Sequence, residues 1–216
     1  MGFRGKSLGH LPGNGGFDLQ VLAKIKKKYQ SRNIILIKGR QGGYVGKAFN
    51  VLKALNQLRK ELGNYQIKII MSSPDVKAVA RFLNLENEPK FEIMPRLPYK
   101  ELLSLFAQSR LAISASDVDG SPIFLLEAMA MGVFPIHSDM ESVREWIKDG
   151  QNGLLFPVDD IESLSKSIKK ALADNQLVSR AKVINWRIAR QRMDRNKIRP
   201  HIKNLIETKI LKKHEQ

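Results

Sequence analysis

Cysteine is absent from this chain of 216 residues. A disulfide framework, a thiolate nucleophile and a zinc site with thiolate ligands are therefore excluded. Long apolar runs are also missing, since none approaches the roughly 18 residues that a membrane-spanning helix needs. The first residues, 1–6, are too polar and too rich in glycine for a secretory signal. These absences predict a cytoplasmic protein.

Acidic residues are scarce at both ends of the chain. Residues 1–60 carry 13 lysines and arginines against one acid, and residues 160–216 carry 15 against six, whereas residues 61–159 carry nine against 14. The net charge is +16. Basic flanks suit anionic partners, so we expect either peripheral contact with the inner face of an anionic membrane or simply a solvated basic surface.

Aromatic residues make up only 7% of the chain. Proteins that bind single-stranded nucleic acids stack bases on aromatic side chains, and no such motif occurs here. The basic charge also lies on the flanks rather than in the centre. A basic nucleic-acid-binding protein is therefore an alternative that the sequence disfavours, and we expect no nucleic acid partner.

Strand and helix patterns alternate along most of the chain. Short apolar runs bounded by glycine, proline and polar residues predict six strands, at 33–38, 67–71, 91–94, 111–114, 133–137 and 154–156. Helical spacing of apolar residues predicts helices at 18–30, 46–62, 74–83, 99–108, 122–131, 141–147 and 160–173. This order is typical of the α/β class, and it predicts a doubly wound, parallel, six-stranded, Rossmann-like sheet with a helical C-terminal extension.

The same patterns divide the chain. Residues 1–17 lack an apolar period and are rich in glycine, so we expect a linker or tail. Residues 18–175 form the expected α/β domain. Residues 176–216 are helical and basic, and we expect them to pack on the same domain.

The helix predicted at 122–131 has a well-marked start. Ser121 is a good N-cap, and Pro122 suits the first helical position. The free amides of Ile123 and Phe124 would then point at a ligand beyond the strand ends, which is a site for an anion such as phosphate. Two carboxylates, Asp119 and Glu127, bracket that helix start.

A glycine-rich loop, residues 38–47, follows the first strand. It fails the test for a nucleotide-triphosphate loop, because Gln41 stands where the first glycine is needed and Ala48 where a serine or threonine must hold magnesium. It also lacks the glycine spacing of dinucleotide-binding folds. What remains is a pair of cations, Arg40 and Lys47, that suits a diphosphate. The alternative is two solvated basic residues on a turn.

Several motifs occur together in a familiar order. Gly39-Arg40 and Gly46-Lys47 follow the first strand, Asp119 and Glu127 lie eight residues apart, and the second of these opens the run Glu-Ala-Met-Ala-Met-Gly. Over about residues 33–173 the chain resembles the carboxyl-terminal, nucleotide-sugar-binding domain of a GT-B glycosyltransferase of the retaining family 4 type.

The resemblance implies roles for matching positions. It implies a catalytic set of Arg40, Lys47 and Asp119, of which the two cations hold the donor diphosphate and the carboxylate lies near the transferred sugar. It implies that Glu127 accepts from the ribose hydroxyls. The full donor-binding set that it implies is Gly39, Arg96, Leu97, Ser121, Ile123, Phe124 and Glu127, with Arg96 and Leu97 beside the base.

The chain also departs from the family pattern. Asp119 replaces a glutamate and is one methylene shorter, and Ser121-Pro122 replaces the more usual Phe-Gly. The family's amino-terminal domain, which holds the acceptor, has no counterpart here. We therefore expect the donor half of such an enzyme, either a piece of a longer chain or a naturally separate polypeptide.

The implied activity is hexosyl transfer from a UDP-, GDP- or ADP-sugar to an acceptor glycan or lipid-linked glycan, as in surface polysaccharide or glycolipid synthesis. No cofactor or metal is expected, although Asp117 and Asp119 have the spacing of a metal pair. A different class remains open, namely a nucleotide-sugar-binding module without turnover. His137 follows an apolar strand, and we expect a packed residue rather than a general base.

Overall fold

A computed structural model describes residues 15–27, 31–42 and 46–210. Most of the linker expected at 1–17 lies outside the described residues, as do residues 28–30 of the first predicted helix. Residues 43–45 of the glycine-rich loop and the end of the chain at 211–216 are likewise outside them.

Eight strands lie in the described part of the chain. In chain order they are β1 (Ile34–Lys38), β2 (Gln41–Gly42), β3 (Gly46–Lys47), β4 (Gln66–Ile70), β5 (Phe91–Ile93), β6 (Ser109–Ser114), β7 (Phe134–Ser138) and β8 (Leu154–Phe156). Six of them form one parallel sheet in the order β5-β4-β1-β6-β7-β8. The prediction of a doubly wound, six-stranded, Rossmann-like sheet is therefore confirmed. The β2–β3 hairpin is additional and was not predicted.

Helices cover both faces of the sheet. They are α1 (Leu19–Ile25), α2 (Ala48–Gln57), α3 (Pro74–Phe82), α4 (Tyr99–Gln108), α5 (Ile123–Met131), α6 (Glu141–Arg144), α7 (Ile161–Ala173), α8 (Asn175–Arg192) and α9 (Arg195–Leu205), followed by a π-helical turn (Ile206–Ile210). Helical structure thus extends well beyond α7, as the sequence predicts. No helix within the described ranges is both long and apolar enough to cross a bilayer.

The central strand β1 shows how the two layers are built. Its side chains alternate, so that Ile35 and Ile37 pack with α2, α3 and α7, while Ile34 and Leu36 pack with α1, α4 and α5. All four side chains are buried. A strand buried on both faces needs a continuous apolar run, which is the pattern that its sequence has.

Helix α5 begins one residue later than predicted. Its first residue is Ile123, and Pro122 rather than Ser121 occupies the N-cap position. The predicted cap at Ser121 is wrong because that residue lies in a tight turn. Its amide donates to Oδ1 of Asp119 over 3.2 Å, and its carbonyl accepts from the amide of Ile123 over 2.7 Å.

Helix α8 is fastened to the β7–β8 connection by two buried amide side chains. Asn152 donates to Oδ1 of Asn185 over 2.8 Å, and Asn185 donates back to the carbonyl of Asn152 over 2.9 Å. Asn152 also donates to the carbonyl of Trp146 over 2.9 Å. The C-terminal helices therefore share hydrogen bonds as well as apolar contacts with the sheet layer.

Candidate functional site

The predicted site residues gather at one edge of the sheet. Parallel strands end at a common edge, so the segments that follow β1, β5 and β6 meet there. These segments carry Arg40, Arg96 and Asp119, and α5 brings Glu127 to the same edge.

Glycine is required immediately after β1. A β-carbon added to Gly39 would lie 2.4 Å from Cγ2 of Ile69, far inside normal contact distance. The amide of Gly39 donates to the carbonyl of Ile70 over 2.8 Å. The chain can therefore turn closely over β4 and present Arg40, whose side chain is exposed.

The β2–β3 hairpin places Lys47 at the edge. The amide of Lys47 donates to the carbonyl of Ala115 over 3.0 Å, and the amide of Ala48 donates to the carbonyl of Arg40 over 3.2 Å. Nζ of Lys47 lies 3.1 Å from Oδ2 of Asp117 and 3.8 Å from Oδ1 of Asp159. The hydrogen bond to Asp117 raises the pKa of Lys47 above its ordinary value, so this lysine stays cationic.

Asp119 is paired with a lysine that the sequence did not single out. Nζ of Lys38, the last residue of β1, lies 3.1 Å from Oδ2 of Asp119, and each side chain is only 15% exposed. The backbone carbonyl of Asp119 also accepts a hydrogen bond from the hydroxyl of Ser142. This carboxylate is therefore held in one orientation.

His137 lies beside this pair. Its side chain is buried, and its Nδ1 lies 3.0 Å from the carbonyl oxygen of Ser138. Burial lowers the pKa of His137 to about 4, with a smaller lowering from the charge of Lys38. The ring is therefore neutral at pH 7 and packed in the core, as the sequence predicts.

Glu127 is a buried carboxyl on an apolar helix. It is 5% exposed, and burial raises its pKa from 4.5 to about 7. The nearby hydroxyl of Tyr99 opposes part of that rise in pKa, because it favours the ionised form. Burial and the nearby Glu127 raise the pKa of Tyr99 to about 12, so the phenol remains a donor.

A cleft of about 1460 Å³ opens between the ends of β4 and β5. Arg96, Leu97 and Tyr99 lie along one wall, and residues 71–74 along the other. Arg96 is exposed and Leu97 is half-buried. Tyr99 therefore lies between this cleft and Glu127, because it lines the cleft and interacts with the carboxyl group.

The start of α5 has two free backbone donors among the described residues. The amide of Ile123 already donates to the carbonyl of Ser121, contrary to the sequence expectation that it is free. The amides of Phe124 and Leu125 have no acceptor among the residues that the structure describes. Two amides and the helix dipole therefore remain available to an anion here.

Metal ligands do not cluster within the described ranges. No group of three or more histidines and carboxylates is placed to hold a metal ion there. Asp117 and Asp119, which have the spacing of a metal pair, each face a different lysine instead.

Sequence reasoning missed three residues of this edge, namely Lys38, Asp117 and Tyr99. Lys38 had a detectable signal, because a charged residue closes an otherwise apolar strand. Asp117 was considered only as half of a metal pair. Tyr99 had no signal, since an aromatic residue at the start of a helix is ordinary.

Comparison with known proteins gives a family match over most of the chain. Residues 20–189 match the family of glycosyl transferases group 1. Two curated bacterial proteins match shorter segments. One is an exopolysaccharide phosphotransferase of Streptomyces coelicolor, 35% identical over 83 residues, which are 38% of this chain and 9% of that protein. The other is a phosphatidyl-myo-inositol mannosyltransferase of Mycolicibacterium smegmatis, 40% identical over 55 residues, or 26% of this chain and 14% of that protein.

Solved structures share the fold. The pneumococcal O-GlcNAc transferase GtfA, solved with UDP and GlcNAc, has a TM-score of 0.72 and 20% identity, over 85% of this chain and 37% of that one. The C-terminal domain of a glycosyl transferase group 1 family protein from Francisella tularensis has a TM-score of 0.68 and 18% identity. This second match covers 83% of the chain and 99% of that domain.

Proposed function

The chain belongs to the glycosyl transferases group 1 family, and we propose that it is the donor-binding domain of a retaining, family 4 type hexosyltransferase. In this proposal the chain binds a nucleoside-diphosphate sugar, and a separate amino-terminal domain holds the acceptor, a glycan or lipid-linked glycan. The almost complete match to an isolated C-terminal domain supports this division. Residues 18–175 then make up the donor-binding domain, and the helices that follow belong to it.

The diphosphate is held by three groups in this proposal. Arg40 is exposed and makes no ion pair with any residue in the described ranges, so it is ready to bind an anion. Lys47 is cationic, and the amide of Phe124 points out of the helix start. Preorganised charge of this kind stabilises a leaving diphosphate without a metal ion, since negative charge develops as the bond between sugar and oxygen breaks.

Lys47 must exchange partners when the donor binds. Its present partners, Asp117 and Asp159, are carboxylates that would repel a diphosphate at close range. Lys47 is 31% exposed and Asp159 is 77% exposed, so both side chains have room to move. A diphosphate carries more charge than one carboxylate and therefore competes for the lysine.

The nucleoside is placed by the cleft and by Glu127. We propose that Glu127 accepts from the ribose hydroxyls and that the base enters the cleft beside Arg96 and Leu97. Tyr99 lies between Glu127 and the cleft, so a nucleoside that reaches from one to the other would contact Tyr99. Of the possible bases we favour uracil, because the similar pneumococcal structure is a complex with UDP.

One observation carries the proposal. A chain of this family brings two cations, a helix start and a buried carboxyl to the carboxyl edge of one parallel sheet. Ligands of doubly wound sheets bind at this edge. A binding module without turnover would have the same edge, so binding is tested first.

The direct test is calorimetric titration of the chain with UDP, GDP and ADP. Arg40→Ala should weaken binding of the preferred diphosphate about tenfold or more, since a hydrogen bond to a charged group contributes about 1.5–3 kcal/mol. The matched control is Arg187→Ala, which removes the same charge from an exposed position on α8. This control should change the affinity less than about twofold.

Two results would contradict the proposal. One is that none of the three diphosphates binds. The other is that Arg40→Ala and Arg187→Ala weaken binding equally, which would mean that only the net basic charge attracts the ligand.

A further inference from the structure

Lys38 and Asp119 form an ion pair that is largely withdrawn from solvent. The two residues are 81 positions apart in sequence, and their side chains meet at 3.1 Å where β1 and the segment after β6 reach the same edge. Both side chains are 85% covered. A pair that is shielded in this way is screened by salt far less than one on the surface.

We propose that Lys38 is a positioning residue that fixes the carboxylate of Asp119 as an acceptor for hydroxyl groups of the transferred sugar. This inference rests on the proposed function, because it takes from it that Asp119 lies near the sugar. In this inference Lys38 supports binding of the sugar through Asp119 and does not itself bind the diphosphate.

The contacts of Asp119 leave room for such a role. Its Oδ2 accepts from Lys38, and its Oδ1 accepts from the amide of Ser121 over 3.2 Å. An ionised carboxylate offers about four lone-pair sites, two on each oxygen. Two sites are therefore used for anchoring, and two remain for neighbouring hydroxyls of a sugar.

The backbone of the same residue is anchored as well. The carbonyl of Asp119 accepts from the hydroxyl of Ser142, which lies on α6. Side chain and main chain are thus held by β1, by the turn before α5 and by α6. Such preorganisation is what a residue needs in order to select one sugar geometry.

The surroundings favour this role over direct binding of phosphate. Lys38 follows the buried run Ile34–Ile37, so its stem is confined, and its charge is already neutralised by Asp119. His137 beside the pair is neutral and adds no competing charge. Arg40, two residues further on, is exposed and remains the available cation on this segment.

The test compares a nucleotide with its sugar derivatives. Dissociation constants for UDP, UDP-glucose and UDP-N-acetylglucosamine are measured by calorimetry on the wild type and on Lys38→Met, which keeps the length of the side chain and removes its charge. Lys38→Met should weaken the better of the two sugar nucleotides about fivefold to tenfold and change the affinity for UDP less than about twofold. Lys38→Arg should restore most of the loss, because it keeps the cation.

Two further variants complete the design. Asp119→Asn keeps the shape of the side chain and should also weaken binding of the sugar nucleotide while changing the affinity for UDP little. It tests the inference even if Lys38→Met folds poorly. Lys68→Met is the matched control, because Lys68 is a lysine of the parallel strand β4, 19% exposed and paired with Glu92. This control should leave all three affinities unchanged.

An equal loss for UDP and the sugar nucleotides would overturn the inference, since Lys38 would then act on the diphosphate or on the fold. The absence of any effect would overturn it too. Failure of the wild type to bind UDP, GDP and ADP alike would instead overturn the proposed function itself.

Discussion

Replacing Glu127 by glutamine should make this protein more stable at pH 8. The carboxyl group is 5% exposed on a helix whose other buried side chains are all apolar. Glutamine has almost the same shape but carries no charge. The part of the effect that depends on pH is therefore the cost of keeping an ionised carboxylate away from water.

The size of the effect follows from the pKa. Burial raises the pKa of Glu127 from 4.5 to about 7, and each pKa unit corresponds to about 1.4 kcal/mol. Below pH 4.5 the group is protonated in both the folded and the unfolded chain, so its ionisation does not lower the free energy of unfolding. As the pH rises from 4.5 to 7 the unfolded chain loses this proton first, and the folded chain loses stability relative to it. Above pH 7 the cost is complete, at about 3 kcal/mol.

The assay is urea unfolding followed by the fluorescence of Trp146 and Trp186 at pH 5, 6, 7 and 8. The gain in free energy of unfolding for Glu127→Gln should approach about 3 kcal/mol at pH 8 and shrink to about 0.8 kcal/mol at pH 5. Tyr99→Phe is the control, because it removes the hydroxyl that favours the ionised form and should lower stability at pH 8. A gain of the same size at pH 5 and pH 8 would refute the reasoning.

The same variant should lose affinity for the nucleotide, because glutamine offers one neutral acceptor oxygen to the ribose hydroxyls where the carboxylate offers two charged ones. A gain in stability joined to a loss of binding is the behaviour expected of a functional residue kept at a cost to the fold. A stabilised variant that binds the nucleotide as well as the wild type would show that Glu127 does not contact the ribose.

Two further predictions concern the frame around the site. Asn185→Ala should lower the free energy of unfolding by about 2–3 kcal/mol, because Asn152 then loses one of its two side-chain acceptors and the donor to its backbone carbonyl. Urea unfolding measures this, and a loss under about 0.5 kcal/mol would contradict it. Gly46→Ala should weaken diphosphate binding as strongly as Arg40→Ala does, because the added methyl would lie 2.3 Å from the carbonyl oxygen of Arg40 and displace the hairpin. The control is Gly120→Ala, because its added methyl would meet nothing within 4 Å. Both variants are titrated with the same diphosphate. Equal affinities for the two glycine variants would contradict the steric argument.

The sheet could be predicted because its strands obey a strong constraint. A parallel strand covered on both faces must be apolar along its length, and Ile34–Ile37 show this without interruption. The alternation of such runs with helical periods then fixes the topology and the edge that binds ligands. The hairpin of β2 and β3 was not predicted, because strands of two residues are too short to show an alternation of apolar and polar residues.

Contacts between distant segments could not be predicted in the same way. Lys38 and Asp119 are far apart in sequence, and their meeting depends on strand order and on the turn before α5. The turn also explains the error at Ser121, since local preference favours a serine cap before proline. The backbone hydrogen bonds of the loop to Asp119 and Ile123 override that preference.

The most direct measurement of the central claim is a crystal structure of the chain with UDP. We expect the diphosphate between Arg40, Lys47 and the start of α5, the ribose hydroxyls on Glu127, and the base in the cleft between β4 and β5. We also expect Lys47 to have left Asp117 for the diphosphate. UDP bound elsewhere, for example on the basic residues of α8 and α9, would contradict donor binding at this edge of the sheet.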